Sequence, residues 1–340
     1  MTPFERDITD QPAALERLLA AERAHPPLPL LHGGEKIVVT GMGSSLYAGY
    51  PTWRRLLAAG ADAWWISASE LLDNPTLAQR AHLAIVTSQS GRSGEVLALL
   101  DQWDKAGPRH VIGVTDDPDS PLARRSHLVR PLHSGPEATV STKSYLNTLA
   151  AHALLAGELT GDPLGPVISE IRLAAAELAR ALRARHPSAV IAAAATGAGS
   201  PRLALLGGGD QAATALTGAL ILKEAAKVPA EAFVGGAFRH GPIELAGPGL
   251  TAVMLTGPGS GRDSLAHLAA DLAPTGTTLV TIGPHTLPGV FHHIPTPQAG
   301  RPADLILPML AIQRLAVALA RATGVEPGHF HIGQKVTQTL

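Results

Sequence analysis

Short apolar runs alternate with helical patterns along this chain of 340 residues. In the first half, runs typical of strands occupy residues 36–40, 63–66, 83–87, 110–115 and 127–132. The segments between them, such as residues 46–59 and 95–105, place apolar residues at helical spacing. Strands that alternate with helices predict a mostly parallel sheet with helices on both faces. The pattern therefore predicts an α/β fold of the doubly wound kind.

The plan of the first half returns in the second half. The corresponding segments are residues 36–43 with 202–209, 83–90 with 251–258, and 110–115 with 277–283. This repetition predicts two tandem units of flavodoxin-like, doubly wound topology. Further helices are predicted over residues 2–24, 143–159 and 166–185. We expect an N-terminal helix and linker (1–29), a first unit (30–160), a bridging helix (161–189), a second unit (190–325) and a C-terminal tail (326–340).

Composition limits the functional classes that this chain can serve. Hydrophobic residues make up 45% and charged residues 16%, which suffices for a large core. The net charge of −1 argues against recruitment of nucleic acid or an anionic membrane. No apolar run approaches the roughly 18 residues that span a bilayer, and residues 1–8 lack the form of a signal peptide. The absence of cysteine excludes disulfides, thiolate metal sites and a cysteine nucleophile, and it fits a cytoplasmic protein.

The strand pattern at residues 83–87 leads into the segment with the strongest functional signal. Residues 88–93 (SQSGRS) offer three hydroxyls and an amide as donors, and their glycine lets the backbone approach a ligand closely. A helical pattern then begins at Glu95, and the first turn of a helix leaves backbone N–H groups unpaired. Such donors at a helix N-terminus suit an anion such as a sugar phosphate. An ordinary turn rich in serine and glycine is the alternative interpretation.

The two halves differ in the side chains that follow their strands. The first half places five serines at the predicted carboxyl edge of its sheet: Ser44, Ser45, Ser88, Ser90 and Ser93. The second half has Gly207-Gly-Gly-Asp and Gly257-Pro-Gly-Ser at the corresponding places. We therefore expect the first unit to hold the anion and the second unit to serve structure and catalysis.

Several motifs, in a fixed order, carry a resemblance to a known family. They are Gly41-Met-Gly-Ser-Ser, Thr87-Ser-Gln-Ser-Gly-Arg-Ser, Gly135-Pro-Glu-Ala-Thr-Val-Ser-Thr-Lys-Ser-Tyr, Gly218-Ala-Leu-Ile-Leu-Lys-Glu, Phe238-Arg-His-Gly-Pro and Gln334-Lys-Val-Thr-Gln-Thr. Together they resemble the double sugar isomerase (SIS) domain family over about residues 30–340. That family includes the isomerase half of glucosamine-6-phosphate synthase and stand-alone aminosugar-6-phosphate deaminases.

The resemblance implies a role for each matching residue. The phosphate-binding positions correspond to Gly43, Ser44, Ser45, Ser88, Gln89, Ser90 and Ser93, and the loop that contacts the sugar corresponds to Val140, Ser141 and Thr142. Glu224 matches the base that moves a proton between C1 and C2 of the sugar. His240 matches a histidine that opens the sugar ring from a neighbouring subunit, and Lys335 matches the lysine of a tail that closes over the sugar. The resemblance therefore implies a homodimer with shared sites and no cofactor.

The chemistry of the three catalytic candidates agrees with these roles and leaves alternatives open. A carboxylate such as Glu224 can remove and return a proton when partial burial raises its pKa; otherwise Glu224 is an exposed helix residue or the partner of a nearby lysine. His240 can exchange a proton near neutral pH, or it caps a helix or fills the core. Lys335 can stabilise a phosphate or an oxyanion, or it is a solvated tail residue.

Four positions depart from the pattern of the family. Ile221 stands where the first lysine of a Leu-Lys-Leu-Lys-Glu run is usual, so one active-site ammonium is absent. Thr217 and Ala237 stand where acidic residues are common, and Arg92 replaces a glutamate of the synthase, which would add local positive charge. A different sugar, or an amine substrate that carries its own charge, would fit these changes.

The favoured function is that of a phosphosugar isomerase or aminosugar-6-phosphate deaminase. A fructosamine-6-phosphate deglycase and a non-catalytic phosphosugar-binding protein are the alternatives. Without cysteine the chain has no nucleophile for glutamine hydrolysis. We expect no metal site, because the histidine pairs at 292–293 and 329/331 lack accompanying ligands. Neither a helix-turn-helix pattern nor a basic patch precedes residue 30, so nucleic acid is not an expected partner.

Overall fold

The computed structural model describes residues 1–22, 34–197, 199–259 and 261–337. The strands are β1 Lys36–Gly41, β2 Asp62–Ser67, β3 Leu83–Thr87, β4 His110–Thr115, β5 Leu128–Pro131, β6 Arg202–Gly207, β7 Ala230–Val234, β8 Leu250–Leu255, β9 Thr278–Gly283 and β10 His292–Pro295. The helices are α1 Pro3–Ala21, α2 Gly43–Ala48, α3 Tyr50–Ala58, α4 Ala68–Asp73, α5 Pro75–Gln79, α6 Gly94–Trp103, α7 Pro121–Arg125, α8 Lys143–Thr160, α9 Leu164–Arg183, α10 Ser188–Gly197, α11 Gln211–Ala226, α12 Arg262–Leu272 and α13 Arg301–Ala322.

The strands form two parallel sheets with the same topology. The first sheet has the order β2-β1-β3-β4-β5, and the second has the order β10-β9-β8-β6-β7. When the second sheet is followed from β7 to β10, its strands are connected in the same order as those of the first sheet. Strands β6, β8 and β9 therefore occupy the places of β1, β3 and β4. The predicted doubly wound α/β fold is therefore confirmed. The sequence patterns did not predict β7 and β10, which complete the second sheet.

The contacts of the chain group it into two compact units. The first-sheet unit contains Ala13–Glu137, Lys143–Arg172 and Ile332–Leu340. The second-sheet unit contains Met1–Pro12, Ala138–Thr142 and Leu173–His331. The tail from Ile332 therefore groups with the first sheet, although it follows the second sheet in the chain.

Each unit has its own apolar core. In the first-sheet unit, the buried side chains of Val38 and Val86 pack with Leu99 and Leu122 from the helices. In the second-sheet unit, Phe233 and Phe238 meet edge to face with ring centroids 5.0 Å apart. Burial of aliphatic side chains on both faces explains why the central strands read as continuous apolar runs.

The predicted helix over residues 46–59 is two helices. Helix α2 ends at Ala48 and α3 begins at Tyr50, with Gly49 between them. Pro51 lies in the first turn of α3, where its missing N–H is tolerated. A continuous helix would instead lose a hydrogen bond at this proline and clash with its ring.

Helix α13 is a long apolar helix of the second-sheet unit. Its mean hydropathy reaches 1.7 over 18 residues, so its length and composition alone would suffice to cross a membrane. However, 89% of that window is buried within the protein. Inside the unit, Gln313 accepts a hydrogen bond of 2.7 Å from Gln11, and Arg314 donates to the carbonyl of Ala181 at 3.0 Å. This burial and these internal partners are those of a core helix.

Candidate functional site

The predicted phosphate-binding residues follow two adjacent central strands. Gly41 pairs with Thr87 at the carboxyl ends of β1 and β3, so the loops after the two strands lie side by side. A Cβ atom on Gly41 would lie 2.6 Å from the Thr87 carbonyl oxygen, which explains the requirement for glycine. In the observed strand order, β1 and β3 flank the topological switch point, where open α/β sheets bind ligands.

The first of these loops turns directly into the short helix α2. Gly43 has a φ angle of +50°, which favours glycine over other residues. Ser44 and Ser45 lie half-buried in the first turn of α2, and the Ser45 N–H donates to the Met42 carbonyl at 3.1 Å. Gly43, Ser44 and Ser45 are thus located at the edge of the sheet that the sequence predicted.

The second loop gathers the other predicted residues into a single turn, residues 88–93, which we call the serine loop. The hydroxyls of Ser88 and Ser93 lie 3.0 Å apart, and Ser93 is the N-cap residue of α6. Gly91 has a φ angle of +61° and donates its N–H to the Ser88 carbonyl at 3.0 Å. Ser90 accepts a hydrogen bond of 3.2 Å from the backbone N–H of Arg92. The turn therefore presents its hydroxyls beside a helix N-terminus.

Two residues that the sequence analysis missed hold Gln89 in place. The Gln89 carbonyl accepts the Asp116 N–H at 2.9 Å, and the Gln89 side-chain amide donates to the Asp116 carboxylate at 3.3 Å. Ser134 donates to the same carboxylate from its N–H, at 2.9 Å, and from its hydroxyl. Asp116 directly follows β4, the neighbour of β3, so the reasoning from strand ends that found the serines could also have found Asp116.

A cavity of about 730 Å³ lies beside the serine loop within the first-sheet unit. Gln89 and Ser90 line it, together with Arg92 and Asp117. Arg92 and Asp117 form an ion pair of 2.7 Å in which both side chains are well exposed. The hydrogen bond from Arg92 is the main cause that lowers the pKa of Asp117. Arg92 therefore brings a positive charge to the lining of the cavity, and Asp117 is its partner there.

The C-terminal tail is attached to the same unit at two points. The Lys335 ammonium lies 2.5 Å from the carboxylate of Glu137, whose side chain is fully buried. That carboxylate also accepts the N–H and the hydroxyl of Ser144, at 3.0 and 2.6 Å. Two residues beyond Lys335, the Thr337 carbonyl accepts the Gly94 N–H at 3.0 Å. The tail thus contacts Glu137, whose carboxylate also binds the first turn of α8, and it contacts the start of α6, which follows the serine loop.

The electrostatics of Glu137 reflect these partners. Burial by itself raises the pKa of the Glu137 carboxyl. The Lys335 ammonium and the hydrogen bonds from Lys335 and Ser144 outweigh burial and hold this pKa below its ordinary value. Glu137 is therefore an anion. It lies in the motif that begins at Gly135, but the motif alone does not reveal that its partner, Lys335, is 198 residues away.

The predicted sugar loop groups with the second-sheet unit. Val140 and Thr142 are buried, and Ser141 is half-buried. Just before them, the Ala138 N–H donates to Asp7 at 2.8 Å, and the Thr139 hydroxyl donates to the Gly328 carbonyl at 2.6 Å. The loop is therefore held by elements of that unit, while the chain on either side of it groups with the first sheet.

Glu224 lies near the end of α11, in the second-sheet unit, and is half-buried. Three residues on, Lys227 ends the helix in the left-handed conformation with φ +57°. The Lys227 ammonium donates to the carbonyls of Glu224 and His329, the latter at 2.6 Å. Burial lowers the pKa of Lys227, and the charge of Glu224 opposes that effect. A cation thus lies near Glu224, three residues further along the chain.

The two residues of α11 that depart from the family pattern, Thr217 and Ile221, lie in the core. Ile221 is only 1% exposed, and Thr217 is fully buried in the same helix, α11. Among the described residues, the Thr217 hydroxyl has no hydrogen-bond partner. Neither side chain places a charge beside Glu224, in contrast with the usual pattern of the family.

His240 is exposed at the end of a short 3₁₀ turn, Ala237–Arg239. The turn is held on one side by the buried ring of Phe238 and on the other by an ion pair of 2.7 Å between Arg239 and Asp271. His240 is therefore neither a core histidine nor a cap of a long helix. Its anchored neighbours fix the backbone and leave the imidazole open to solvent.

At the carboxyl edge of the second sheet, a buried side chain occupies the place that corresponds to the serine loop of the first sheet. Gln211, at the start of α11, is 1% exposed and donates to the Asp304 carbonyl at 2.9 Å. A Cβ atom on Gly257, after β8, would lie 2.0 Å from the Gln211 amide nitrogen. The loop after β8 thus packs directly on Gln211. This packing gives a physical reason for glycine at position 257.

The paired histidines have contacts of their own. Among the described residues, no three His, Asp or Glu side chains are grouped so that they could hold a metal ion. The rings of His329 and His331 contact each other with centroids 5.4 Å apart, and His293 pairs with the Thr281 hydroxyl at 2.9 Å.

Comparison with known proteins agrees with this architecture. The sequence profile of the SIS domain matches residues 30–157 and 198–283. Glutamine–fructose-6-phosphate aminotransferase (isomerizing) of Bradyrhizobium diazoefficiens is 33% identical over 264 residues, which cover 71% of this chain and 42% of that relative. The chain therefore matches less than half the length of that relative.

Solved structures share the fold over almost the whole chain. The C-terminal domain of glucosamine-fructose-6-phosphate aminotransferase from Francisella tularensis has a TM-score of 0.80 at 20% identity, over 96% of this chain and 97% of that one. Glucosamine-6-phosphate deaminase from Thermotoga maritima has a TM-score of 0.76 at 21% identity, over 98% and 99% of the two chains. With the profile match and the relative above, these findings establish that the chain belongs to the SIS domain family.

Proposed function

We propose that this chain is a phosphosugar isomerase of the aminosugar-6-phosphate deaminase type, which acts on a hexose 6-phosphate such as glucosamine 6-phosphate. The observation that carries the proposal is the serine loop at the switch point between β1 and β3. Its hydroxyls, backbone and adjoining helix N-terminus offer the donors that a phosphate requires. The names of the relatives from Bradyrhizobium and Thermotoga support the same substrate class.

The hydroxyls of Ser88 and Ser93 are well placed for a phosphate. They lie 3.0 Å apart and satisfy each other when no ligand is bound. Each hydroxyl can rotate to donate to a phosphate oxygen without movement of the backbone. Gln89, fixed by Asp116, keeps the turn in shape, so little ordering is needed when the ligand binds.

The proposed chemistry is a proton transfer followed by hydrolysis. In the open-chain aminosugar phosphate, Glu224 removes the proton from C2 and returns it to C1, and the C1 oxygen gains a proton as the amine becomes an imine. Water then adds to C2 and ammonia leaves, so one aminosugar phosphate and one water give one ketose phosphate and one ammonia. A base that is partly shielded from water, as Glu224 is, suits this transfer.

The other two candidates assist at the remaining atoms of the sugar. We assign Lys335 the stabilisation of negative charge on the sugar oxygens during proton transfer. We assign His240 the opening of the ring in the site of a second copy of this chain, because its imidazole is exposed beside an anchored turn. The proposal therefore includes a homodimer.

A phosphosugar-binding protein without turnover is the second candidate. The core positions of Ile221 and Thr217 favour it, because neither side chain supplies the charge that the family pattern usually places in this helix. The two candidates make the same prediction for the serine loop and different predictions for Glu224.

The test is a panel of amino- and keto-hexose 6-phosphates, with ammonia release and isomer formation followed separately. The expected result is ammonia and a ketose phosphate from an aminosugar phosphate, with loss of turnover but retained binding in Glu224→Gln. Glu231→Gln, an exposed glutamate of β7, is the matched control and should keep full turnover. Cleavage of a 6-phosphofructosamine instead would identify a deglycase, and binding without any turnover would favour the second candidate.

A further inference from the structure

Glu137 carries a fully buried carboxylate that the proposed chemistry does not use. Its side chain has 0% exposure, and its oxygens accept from Lys335 and from both donors of Ser144. A buried charge is costly unless it is paired and hydrogen-bonded. Ser144 donates two hydrogen bonds but no charge, and Lys335 supplies a positive charge to the site. Glu137 and Ser144 thus form a binding site for an ammonium group.

The location of Glu137 indicates what this ammonium-binding site does. It lies just before the loop of Val140, Ser141 and Thr142, and its partner Ser144 lies in the first turn of α8. The second attachment of the tail, between Thr337 and Gly94, lies at the first residue of α6, next to Ser93. Two attachments that are two residues apart fix the backbone on both sides of Val336. The tail therefore has one defined path across the first-sheet unit.

We propose that Glu137 is the positioning residue of Lys335, and that it docks the tail on the first-sheet unit before a sugar binds. This inference rests on the proposed function, in which Lys335 acts on the sugar. An undocked tail would have to be ordered in each cycle, at a cost in conformational entropy for every residue fixed. A docked tail has its ammonium in place on the first-sheet unit before the sugar arrives, which is the advantage of preorganisation.

The proposal predicts a defined set of effects for Glu137→Gln. The amide keeps the size of the side chain and one acceptor, but it removes the charge that attracts Lys335. The value of kcat should fall by about tenfold or more, with a much smaller change in KM. Hydrogen exchange of the Gly94 amide, which donates to Thr337, should become about tenfold faster as the tail detaches. Glu16→Gln, an exposed glutamate of α1, is the matched control and should change neither quantity.

A double variant separates positioning from general damage to the fold. If Glu137 acts through Lys335, Glu137→Gln should cause no further loss of kcat when Lys335→Met is already present. Additive losses would mean that Glu137 supports the fold instead, and they would overturn the proposal. Thermal unfolding of each variant shows whether it is folded, and Ser144→Ala, which removes one donor and no charge, should keep the tail docked.

The failure of this inference differs from the failure of the proposed function. Unchanged exchange of the Gly94 amide in Glu137→Gln would overturn the docking role, whatever the turnover. Full turnover of Lys335→Met would instead remove Lys335 from the proposed chemistry, and with it the catalytic purpose of Glu137.

Discussion

The Nε2 atom of His152 lies 2.9 Å from the hydroxyl of Thr87, the last residue before the serine loop. The other ring nitrogen lies 3.2 Å from the hydroxyl of Thr52. His152 belongs to α8 and Thr52 to α3, so one buried imidazole joins the end of β3 to two helices. Burial lowers the pKa of His152 to about 4, so the ring is neutral at pH 7.

This buried histidine makes stability depend on pH. The unfolded chain binds a proton at His152 below about pH 6.5, whereas the folded chain does so only near pH 4. The unfolded state therefore holds more protons in this window, and stability is lost as the pH falls from 6.5 towards 4, by up to about 3 kcal/mol. His186, whose pKa burial also lowers to about 4, acts in the same direction.

Urea unfolding of His152→Gln checks this prediction. The variant should be less stable than the native protein at pH 7, and the difference should shrink as the pH falls, because only the native protein loses the His152 contribution. His267→Gln, a substitution at an exposed histidine of α12, is the control for the loss of an imidazole outside the core. A constant difference for His152→Gln would contradict the assignment of a neutral imidazole.

The serine loop should contribute specifically to recognition of phosphate. Ser88→Ala removes one hydroxyl of the pair with Ser93, and a hydrogen bond to a charged group is worth roughly 1.5–3 kcal/mol. The dissociation constant for glucosamine 6-phosphate should therefore rise by about tenfold or more in calorimetric titration. Ser264→Ala, on the exposed face of α12, should leave it unchanged. Equal affinities of all three proteins would exclude the serine loop as the phosphate site.

The left-handed backbone conformation of Lys227 predicts that glycine is more stable than alanine at this position, the reverse of the order inside a helix. At φ +57° glycine is unstrained, whereas alanine carries a penalty of about 1 kcal/mol. Both substitutions remove the same ammonium, so Lys227→Gly should be more stable than Lys227→Ala by about that amount. At Lys223, inside α11, the order should reverse, with alanine favoured by about 1 kcal/mol. Urea midpoints of the four variants test this, and the same order at both positions would contradict the left-handed assignment.

The shared site predicts complementation between two inactive variants. If His240 serves the site of the partner subunit, a mixed dimer of Glu224→Gln and His240→Ala contains one intact site and one doubly altered site. Random mixing after dissociation should then restore about a quarter of the native activity from two inactive proteins. The measurement is turnover after mixing, compared with each variant alone. No recovery from a mixture shown to contain mixed dimers would place His240 in the site of its own chain.

Much of the fold could be predicted because the central strands are buried on both faces. The predicted bounds of β3 and β4 agree with the structure, since uninterrupted apolar runs mark them. The edge strand β7 was missed because Ala230–Val234 contains a glutamate and follows Pro229, so it offers no comparable run. The edge strand β10 was missed for the same reason, as His292–Pro295 contains one aliphatic residue.

The candidate site was predictable to the extent that it is local in sequence. The serines follow strand ends directly, and parallel strands bring those ends to one edge. Ser134 was not found because its role, to hold Asp116 in place, has no sequence signature. Asp116 directly follows β4, so the same reasoning from strand ends could have found it. The partnership of Glu137 and Lys335 joins residues 198 positions apart, and it depends on the return of the tail to the first sheet.

The burial of α13 has a consequence for the way in which this protein is inactivated by heat. When the second-sheet unit opens, a helix of 22 residues whose composition suits a lipid interior becomes exposed to water. Association of such segments between unfolded chains competes with refolding, so heat inactivation should be irreversible and should depend on the scan rate. The working lifetime of the protein is then set by the rate at which α13 leaves its neighbours, rather than by the equilibrium between folded and unfolded chains.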